Sequence, residues 1–265
     1  MKKGVIIVLS LLVVCLGGYI VLNKTESTKT EEKKDNVVSL YVDNATVKNV
    51  YSNFDIMTLK GFVDDDYFGY FFKKDKTLVS DIPNSYKALI AIMSMYDDKN
   101  YVKEYDIPNE VGGMEVKASD VENKVKEIFG NVPFKNETTP AYACWGASKF
   151  TYNEADGYYR STEGCGDAHI EISEENSIVK AEVVNDNILN IYVKPEFVKV
   201  TFNEGTDNFY PKNVYSDFNI TNLVATFNNE YEENQKSYTN KLDTYKFSFE
   251  KDGSNYYFKS VEKVK

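Results

Sequence analysis

Two cysteines carry the strongest chemical signal in the sequence. Cys144 and Cys165 lie in two runs typical of β-strands, which flank the turn-forming residues 153–156. If these four residues close a hairpin, Tyr152 faces Gly157, and the same count outward places Cys144 directly opposite Cys165. Directly opposed residues have Cα atoms about 4.5 to 5.5 Å apart, which a disulfide accepts. The spacing therefore predicts a Cys144–Cys165 disulfide.

The sequence gives no matching signal for a metal site or a catalytic set. His169 is the only histidine, and with Cys144 and Cys165 it offers three zinc ligands without an evident fourth. The acidic run Asp64–Asp66 lacks the spacing of a calcium loop, and it is interpreted as a solvated turn. Glycine-rich phosphate-binding motifs do not occur. We therefore predict no catalytic residue, no bound metal and no cofactor.

Aromatic residues are the remaining candidates for binding. The chain has 21 tyrosines, and four of them, in aromatic runs, are candidates for a binding face: Tyr67, Tyr70, Tyr158 and Tyr159. Aromatic rings on a surface favour binding of a glycan or a peptide, because they give a large contact area at little entropic cost. Aromatic residues are also typical of the core and borders of a sheet. Both interpretations stay open at this point.

Composition and charge limit the class of protein. The chain has 265 residues with 42% hydrophobic content, which is typical of a globular protein. Its net charge is −10, and Arg160 is its only arginine. Nucleic acid is therefore excluded as a partner, because affinity for phosphate depends on clustered lysine and arginine.

The first 22 residues differ from the rest. Residues 4–22 contain no charged side chain, and as a helix they would be roughly 28 Å long, close to the thickness of a bilayer. Lys2 and Lys3 precede them, which predicts a cytoplasmic N-terminus. We therefore predict a single-pass plasma-membrane protein that contacts the lipid bilayer through residues 4–22 and exposes its C-terminal domain outside the cytoplasm. The alternatives are a cleaved signal peptide and lipidation at Cys15.

The patterns beyond the anchor predict an α+β fold. Periodicity indicates helices near residues 44–54, 82–96 and 119–129, and alternation indicates three antiparallel hairpins after Pro140. We expect an N-terminal transmembrane helix, then an ectodomain with helices concentrated in its first half and hairpins in its second. The predicted regions are a membrane anchor at 1–22, a flexible charged linker at 23–36, a helix-rich region at 37–140 and a hairpin-rich region at 141–265. The last two regions can also form one domain.

One internal similarity suggests a duplication. Residues 48–59 read KNVYSNFDIMTL and residues 212–223 read KNVYSDFNITNL, with eight of twelve positions identical. The match predicts two related halves, and the competing explanation is coincidence in a chain rich in Asn, Lys, Tyr and Asp. Different secondary structure in the two segments would reject the duplication.

These observations together predict a membrane-tethered extracytoplasmic domain. Without a catalytic set, the first functional hypothesis is a binding or interaction module for an unknown extracellular or envelope partner. The alternative is a hydrolase of cell-surface polymers that uses Asp and Glu carboxylates. That alternative requires two facing carboxylates, at least one of them with a raised pKa.

Overall fold

The computed structural model describes residues 35–55, 66–105, 113–142, 148–162, 172–200, 210–233 and 237–264. Twelve strands occur in these ranges: β1 Val37–Leu40, β2 Lys76–Leu78, β3 Lys103–Tyr105, β4 Gly113–Lys117, β5 Thr151–Asn153, β6 Tyr158–Thr162, β7 Ile172–Val184, β8 Ile188–Val200, β9 Lys212–Tyr215, β10 Leu223–Phe227, β11 Thr244–Asp252 and β12 Asn255–Val264. Four α-helices accompany them: α1 Ala45–Tyr51, α2 Asn84–Met93, α3 Ala118–Phe129 and α4 Glu230–Glu233. Residues 36–265 form one compact unit.

The predicted α+β class is wrong, because the described residues form mostly antiparallel sheet with few helices. Only α2 and α3 exceed seven residues. Four strands lie in the region that was predicted to be rich in helices, and β2 and β3 have three residues each. Strands this short are set by long-range partners rather than by local alternation, so the sequence pattern does not reveal them.

Two antiparallel sheets organise the chain. The larger has eight strands, with β1–β7–β8–β11–β12–β2 side by side and β9 and β10 continuing from β8. The smaller sheet has the order β3–β4–β6–β5. Strand β8 pairs with β11 through 188–193 and with β9 through 197–200. Pro195 lies between these two stretches, where β8 pairs with neither β11 nor β9. Its missing N–H therefore removes no hydrogen bond to these two strands, and β8 continues through it.

An aromatic core fills the space between the larger sheet and the helices. The ring of Phe54, just beyond α1, lies 4.8 Å from that of Phe258 and 5.7 Å from that of Phe249, measured between centroids. Tyr51 meets Phe247 edge to face at 5.3 Å. Such arrangements add to the stability given by burial alone. The core holds residues from both halves of the chain, which is why 36–265 behaves as one unit.

The three predicted helices exist, with bounds that differ from the sequence pattern. Helix α3 begins without a side-chain cap, because β4 runs directly into it and Lys117 occupies the N-cap. Gly130 ends α3, with φ at +74°. Helix α2 is shorter than predicted and begins directly after Pro83.

The hairpin that was predicted to hold the disulfide has a different register. Tyr152 pairs with Tyr159 rather than with Gly157. Gly157 belongs to the turn, where its φ is +71° and its N–H donates to the carbonyl of Asn153. The residue count that placed Cys144 opposite Cys165 therefore starts from a wrong pair, and no disulfide occurs at the described positions. Both cysteines lie outside the described residues.

The predicted localisation also needs correction. None of the helices in the described part of the chain is long and apolar enough to cross a membrane, which conflicts with the predicted single-pass plasma-membrane protein. The segment that was predicted as the anchor and bilayer contact, residues 4–22, lies outside the described residues.

The duplication hypothesis fails its own test. Residues 48–51 belong to helix α1, whereas the matching residues 212–215 form strand β9. The two segments therefore share sequence but not structure.

Candidate functional site

Our candidate functional site is a group of acidic and tyrosine side chains between helix α1, helix α2 and strand β7. Its central members are Tyr51, Asp55, Glu174, Asn176 and Tyr86, and we call it the acid–tyrosine cluster. Tyr51 ends α1, and Asp55 follows it by four residues. Glu174 and Asn176 lie on one face of β7, and Tyr86 lies in the first turns of α2.

Burial makes the inner part of the cluster chemically unusual. Tyr51 is 3% exposed and Glu174 is 7% exposed. Glu174 pairs across the sheet with Phe197, a fully buried core residue. A carboxylate directed toward an apolar core is costly unless it gains compensating contacts.

The amide of Asn176 links the two carboxylates. Its Nδ2 donates to Glu174 Oε1 at 2.9 Å, and its side chain also hydrogen-bonds the carboxylate of Asp55. Asp55 is an exposed residue, but partial removal of its carboxyl from water raises the pKa, and the bond from Asn176 offsets part of that rise. Asp55 therefore connects the buried group to solvent.

The tyrosines respond to the same acidic surroundings. Burial raises the pKa of Tyr51 well above its ordinary value, and the charges of Asp55 and Glu174 raise it further. Burial raises the pKa of Tyr86 in the same way, with Glu174 again adding to the effect. Both hydroxyls therefore stay protonated near neutral pH, and a protonated hydroxyl can accept a hydrogen bond as well as donate one.

Two polar atoms of the cluster are buried without a partner. They are the hydroxyl of Tyr51 and Oδ1 of Asn176. Among the described residues one further side-chain atom of this kind occurs, Oε1 of Glu196 on β8. Unpaired buried polar atoms cost about 1 to 3 kcal/mol each, so two of them beside two carboxylates require an explanation.

The structure divides the predicted aromatic face into two groups. The rings of Tyr67 and Tyr70 stack at 5.7 Å, and both contact Tyr86, at 4.7 and 4.6 Å. They therefore border the acid–tyrosine cluster and are half-buried. The hydroxyl of Tyr70 donates to the carbonyl of Asp81, and burial raises the pKa of Tyr70 to about 12.

Tyr158 and Tyr159 lie elsewhere, on β6 of the smaller sheet. Tyr159 is fully buried, and its hydroxyl donates to Asn136. One side of the Tyr158 ring is covered by the guanidinium of Arg160, which lies 5.0 Å from the ring centroid. Arg160 also pairs with Glu115, at 3.1 Å. No ring contact in the described ranges joins these two tyrosines to Tyr67 and Tyr70, so the four do not form one face.

Two crevices on the surface are weaker candidates. They lie on either side of the contact between α3 and the β11–β12 hairpin and have volumes of about 310 and 490 Å³. Amides such as Asn49 and Asn255 line the first, and lysines such as Lys126 and Lys251 line the second. Neither crevice is lined by one of the unpaired buried atoms found in the described part of the chain.

Sequence reasoning missed the acidic members of the cluster, although one signal was present. Glu174 and Asn176 lie between Ile172 and Ile178 on the same face of β7. Polar residues at core-facing positions contradict the apolar pattern, and such contradictions often mark functional sites. No protein family model, no curated protein and no solved structure matches this chain.

Proposed function

We propose that this protein is a binding module and that the acid–tyrosine cluster receives a positively charged group of its ligand. The observation that carries the proposal is the pair of unpaired buried atoms, Tyr51 Oη and Asn176 Oδ1, beside Asp55 and Glu174. In the free protein these atoms are costly, whereas a bound ligand would pair them.

The chemistry of the cluster selects the charge of that ligand. The carboxylates of Asp55 and Glu174 and the carbonyl oxygen of Asn176 are hydrogen-bond acceptors. A group that satisfies several acceptors at once must supply several N–H donors, and opposite charge strengthens those bonds. An ammonium or guanidinium group meets both conditions.

The surroundings of the cluster support the same ligand class. Tyr67, Tyr70 and Tyr86 place aromatic rings beside it, and ring faces attract organic cations. The net charge of −10 also favours the approach of cations over anions.

The hydrolase alternative has less support. The raised pKa of Asp55 beside a second carboxylate is the arrangement that it requires. However, Asn176 hydrogen-bonds both carboxylates, so its amide occupies the position between them. Glycoside hydrolysis needs that position for the scissile bond or for a water molecule. The geometry therefore favours binding.

A titration of the full chain with butylammonium tests the proposal. The side-chain amide signal of Asn176 in a ¹H–¹⁵N spectrum reports directly on the cluster. We expect this signal to shift with butylammonium and not with butan-1-ol, which has the same length but no charge. Glu174→Gln should weaken the binding by about tenfold, because one charge-assisted bond is lost.

Glu250→Gln is the matched control. Glu250 is a carboxylate on β11 that pairs with Lys259, away from the cluster, so its replacement should leave the affinity unchanged. An equal response to butan-1-ol, or an unchanged affinity in Glu174→Gln, would contradict the proposal.

A further inference from the structure

Strand β1 forms one border of the larger sheet. It pairs with β7 on one side, and no other strand of the described chain pairs with its second side. A free edge presents a row of backbone N–H and C=O groups that can bind another strand.

The register shows which backbone groups face outward. Asn185 donates its N–H to the carbonyl of Asn36 at 2.8 Å, at the start of the β1–β7 ladder. Ladder bonds recur at every second residue, so Val38 and Leu40 also point toward β7. Val37 and Ser39 therefore direct both of their backbone groups outward, and Tyr41 directs its N–H outward.

This edge lacks the charge that protects the opposite border of the sheet, strand β2. From Val37 to Val42 there is no charge and no proline, and Val37 and Tyr41 are 50% and 85% exposed. By contrast, β2 has only three residues, and its Lys76 forms an ion pair with Glu262. Charges normally oppose pairing with other chains, and their absence from Val37 to Val42 marks β1 as an accessible edge.

Acidic residues lie at both ends of this edge. Asp43 follows the strand at its C-terminal end. At the other end Asp35, an exposed residue, directly precedes Asn36. Antiparallel pairing of two copies about Ser39 would place Asp43 of each copy opposite Asp35 of the other copy. Like charges at these positions oppose such a dimer.

We propose that the free edge of β1 binds an extended segment of another protein, with an uncharged apolar centre and a basic residue at each end. The backbone of Val37, Ser39 and Tyr41 would form the ladder, and Asp43 and Asp35 would attract the basic ends. This interaction surface is independent of the acid–tyrosine cluster.

Binding of two labelled peptides to the full chain tests this proposal by fluorescence anisotropy. We expect Lys-Val-Thr-Val-Thr-Val-Lys to bind and the same peptide with glutamate at both ends to bind at least about tenfold more weakly. Ser39→Pro should abolish binding, since it removes an outward N–H without removing a bond to β7. Ser39→Thr is the matched control and should bind normally.

Val37→Lys gives an independent test if Ser39→Pro does not fold. It adds a positive charge to an exposed position of the edge and should weaken only the lysine-ended peptide. Equal binding of both peptides, or normal binding by Ser39→Pro, would overturn the proposal. A dimer in sedimentation velocity that Ser39→Pro dissociates would also overturn it, in favour of pairing between copies.

Discussion

The five-residue sequence Lys-Asn-Val-Tyr-Ser occurs twice in the chain. The first copy, residues 48–52, ends helix α1, and the second copy, residues 212–216, forms strand β9 and the residue that follows it. In the first copy Tyr51 lies in the aromatic core and is almost fully buried. In the second copy Val214 is the buried residue, and it pairs with Val198 of β8. Local propensity is therefore too weak to decide the structure of this sequence, and the long-range partners decide it.

The residue that precedes each copy explains part of the difference. Val47 comes directly before the first copy, is fully buried and completes a helical stripe with Tyr51. Asn44 caps that helix by accepting the N–H of Thr46. Pro211 stands in the position of Val47 before the second copy, so the stripe loses its first member.

An exchange of Asn and Asp explains why the chain continues differently after each copy. After the helix, Asn53 donates its amide to the carbonyls of Asn49 and Val50. At the matching position after the strand, the carboxylate of Asp217 accepts the N–H groups of Asn219 and Asn222. An amide can donate to the carbonyls left open at a helix end, whereas a carboxylate can only accept.

The largest expected effect is the difference in stability between alanine substitutions at Tyr51 and at Tyr215. Tyr51→Ala should lower the free energy of unfolding by about 3 to 5 kcal/mol, because it removes a buried ring. Tyr215→Ala should cost about 1 kcal/mol, because that side chain is half-buried. Urea unfolding measures both, and equal losses would show that the two copies contribute equally to the core.

The second prediction concerns the turn after β9. Asp217→Asn should cost about 1 to 2 kcal/mol, because an amide oxygen replaces a carboxylate that accepts several N–H groups. Hydrogen exchange at Asn219 and Asn222 should become faster in this variant. Unchanged exchange would contradict the assigned role of the carboxylate.

The converse exchange after α1 should have a smaller effect. Asn53→Asp removes the donor and adds a negative charge near the C-terminus of the helix, at a cost of about 0.5 to 1 kcal/mol. The cost, measured by urea unfolding, should be smaller at high salt, because salt screens the added charge. An Asn53→Asp variant as stable as the wild type would argue against capping by Asn53.

The smallest effect is a pH dependence that arises from Asp55, whose matching residue after the second copy is Asn219. The folded state raises the pKa of Asp55 above its ordinary value of 3.8, so it holds a proton that the unfolded state has lost. The contribution of Asp55 to the free energy of unfolding is therefore fully present below pH 3.8, and it is lost as the pH rises through the raised pKa. The Asp55→Asn variant should lose less stability than the wild type as the pH rises from 3.8 through the raised pKa, as measured by urea unfolding. Identical pH profiles of the two proteins would contradict the assignment.

Local signals predicted some elements of the fold and missed others for physical reasons. Helix α3 follows from the spacing of Val121, Val125 and Ile128 and from the stop at Gly130. The short strands of the first half depend on pairing with distant residues, so alternation within three residues could not predict them. The register of the β5–β6 hairpin depended on whether Gly157 belongs to the strand or to the turn, and its positive φ decides for the turn.

The candidate site was predictable only in part. The aromatic run that contains Tyr67 and Tyr70 borders the acid–tyrosine cluster through Tyr86. Glu174 and Asn176 reach it from a strand more than a hundred residues later, and neither belongs to a recognisable motif. Tyr158 and Tyr159 were grouped with Tyr67 by residue type alone, and the fold separates them.

The central claim is that the Tyr51 hydroxyl is unpaired in the free protein because it serves a ligand. Tyr51→Phe, measured by urea unfolding without ligand and by butylammonium titration, tests this most directly. We predict a free energy of unfolding about 1 kcal/mol higher, because an unpaired buried hydroxyl is removed, together with weaker butylammonium binding. A less stable variant with unchanged binding would contradict the account, because the hydroxyl would then serve the fold alone.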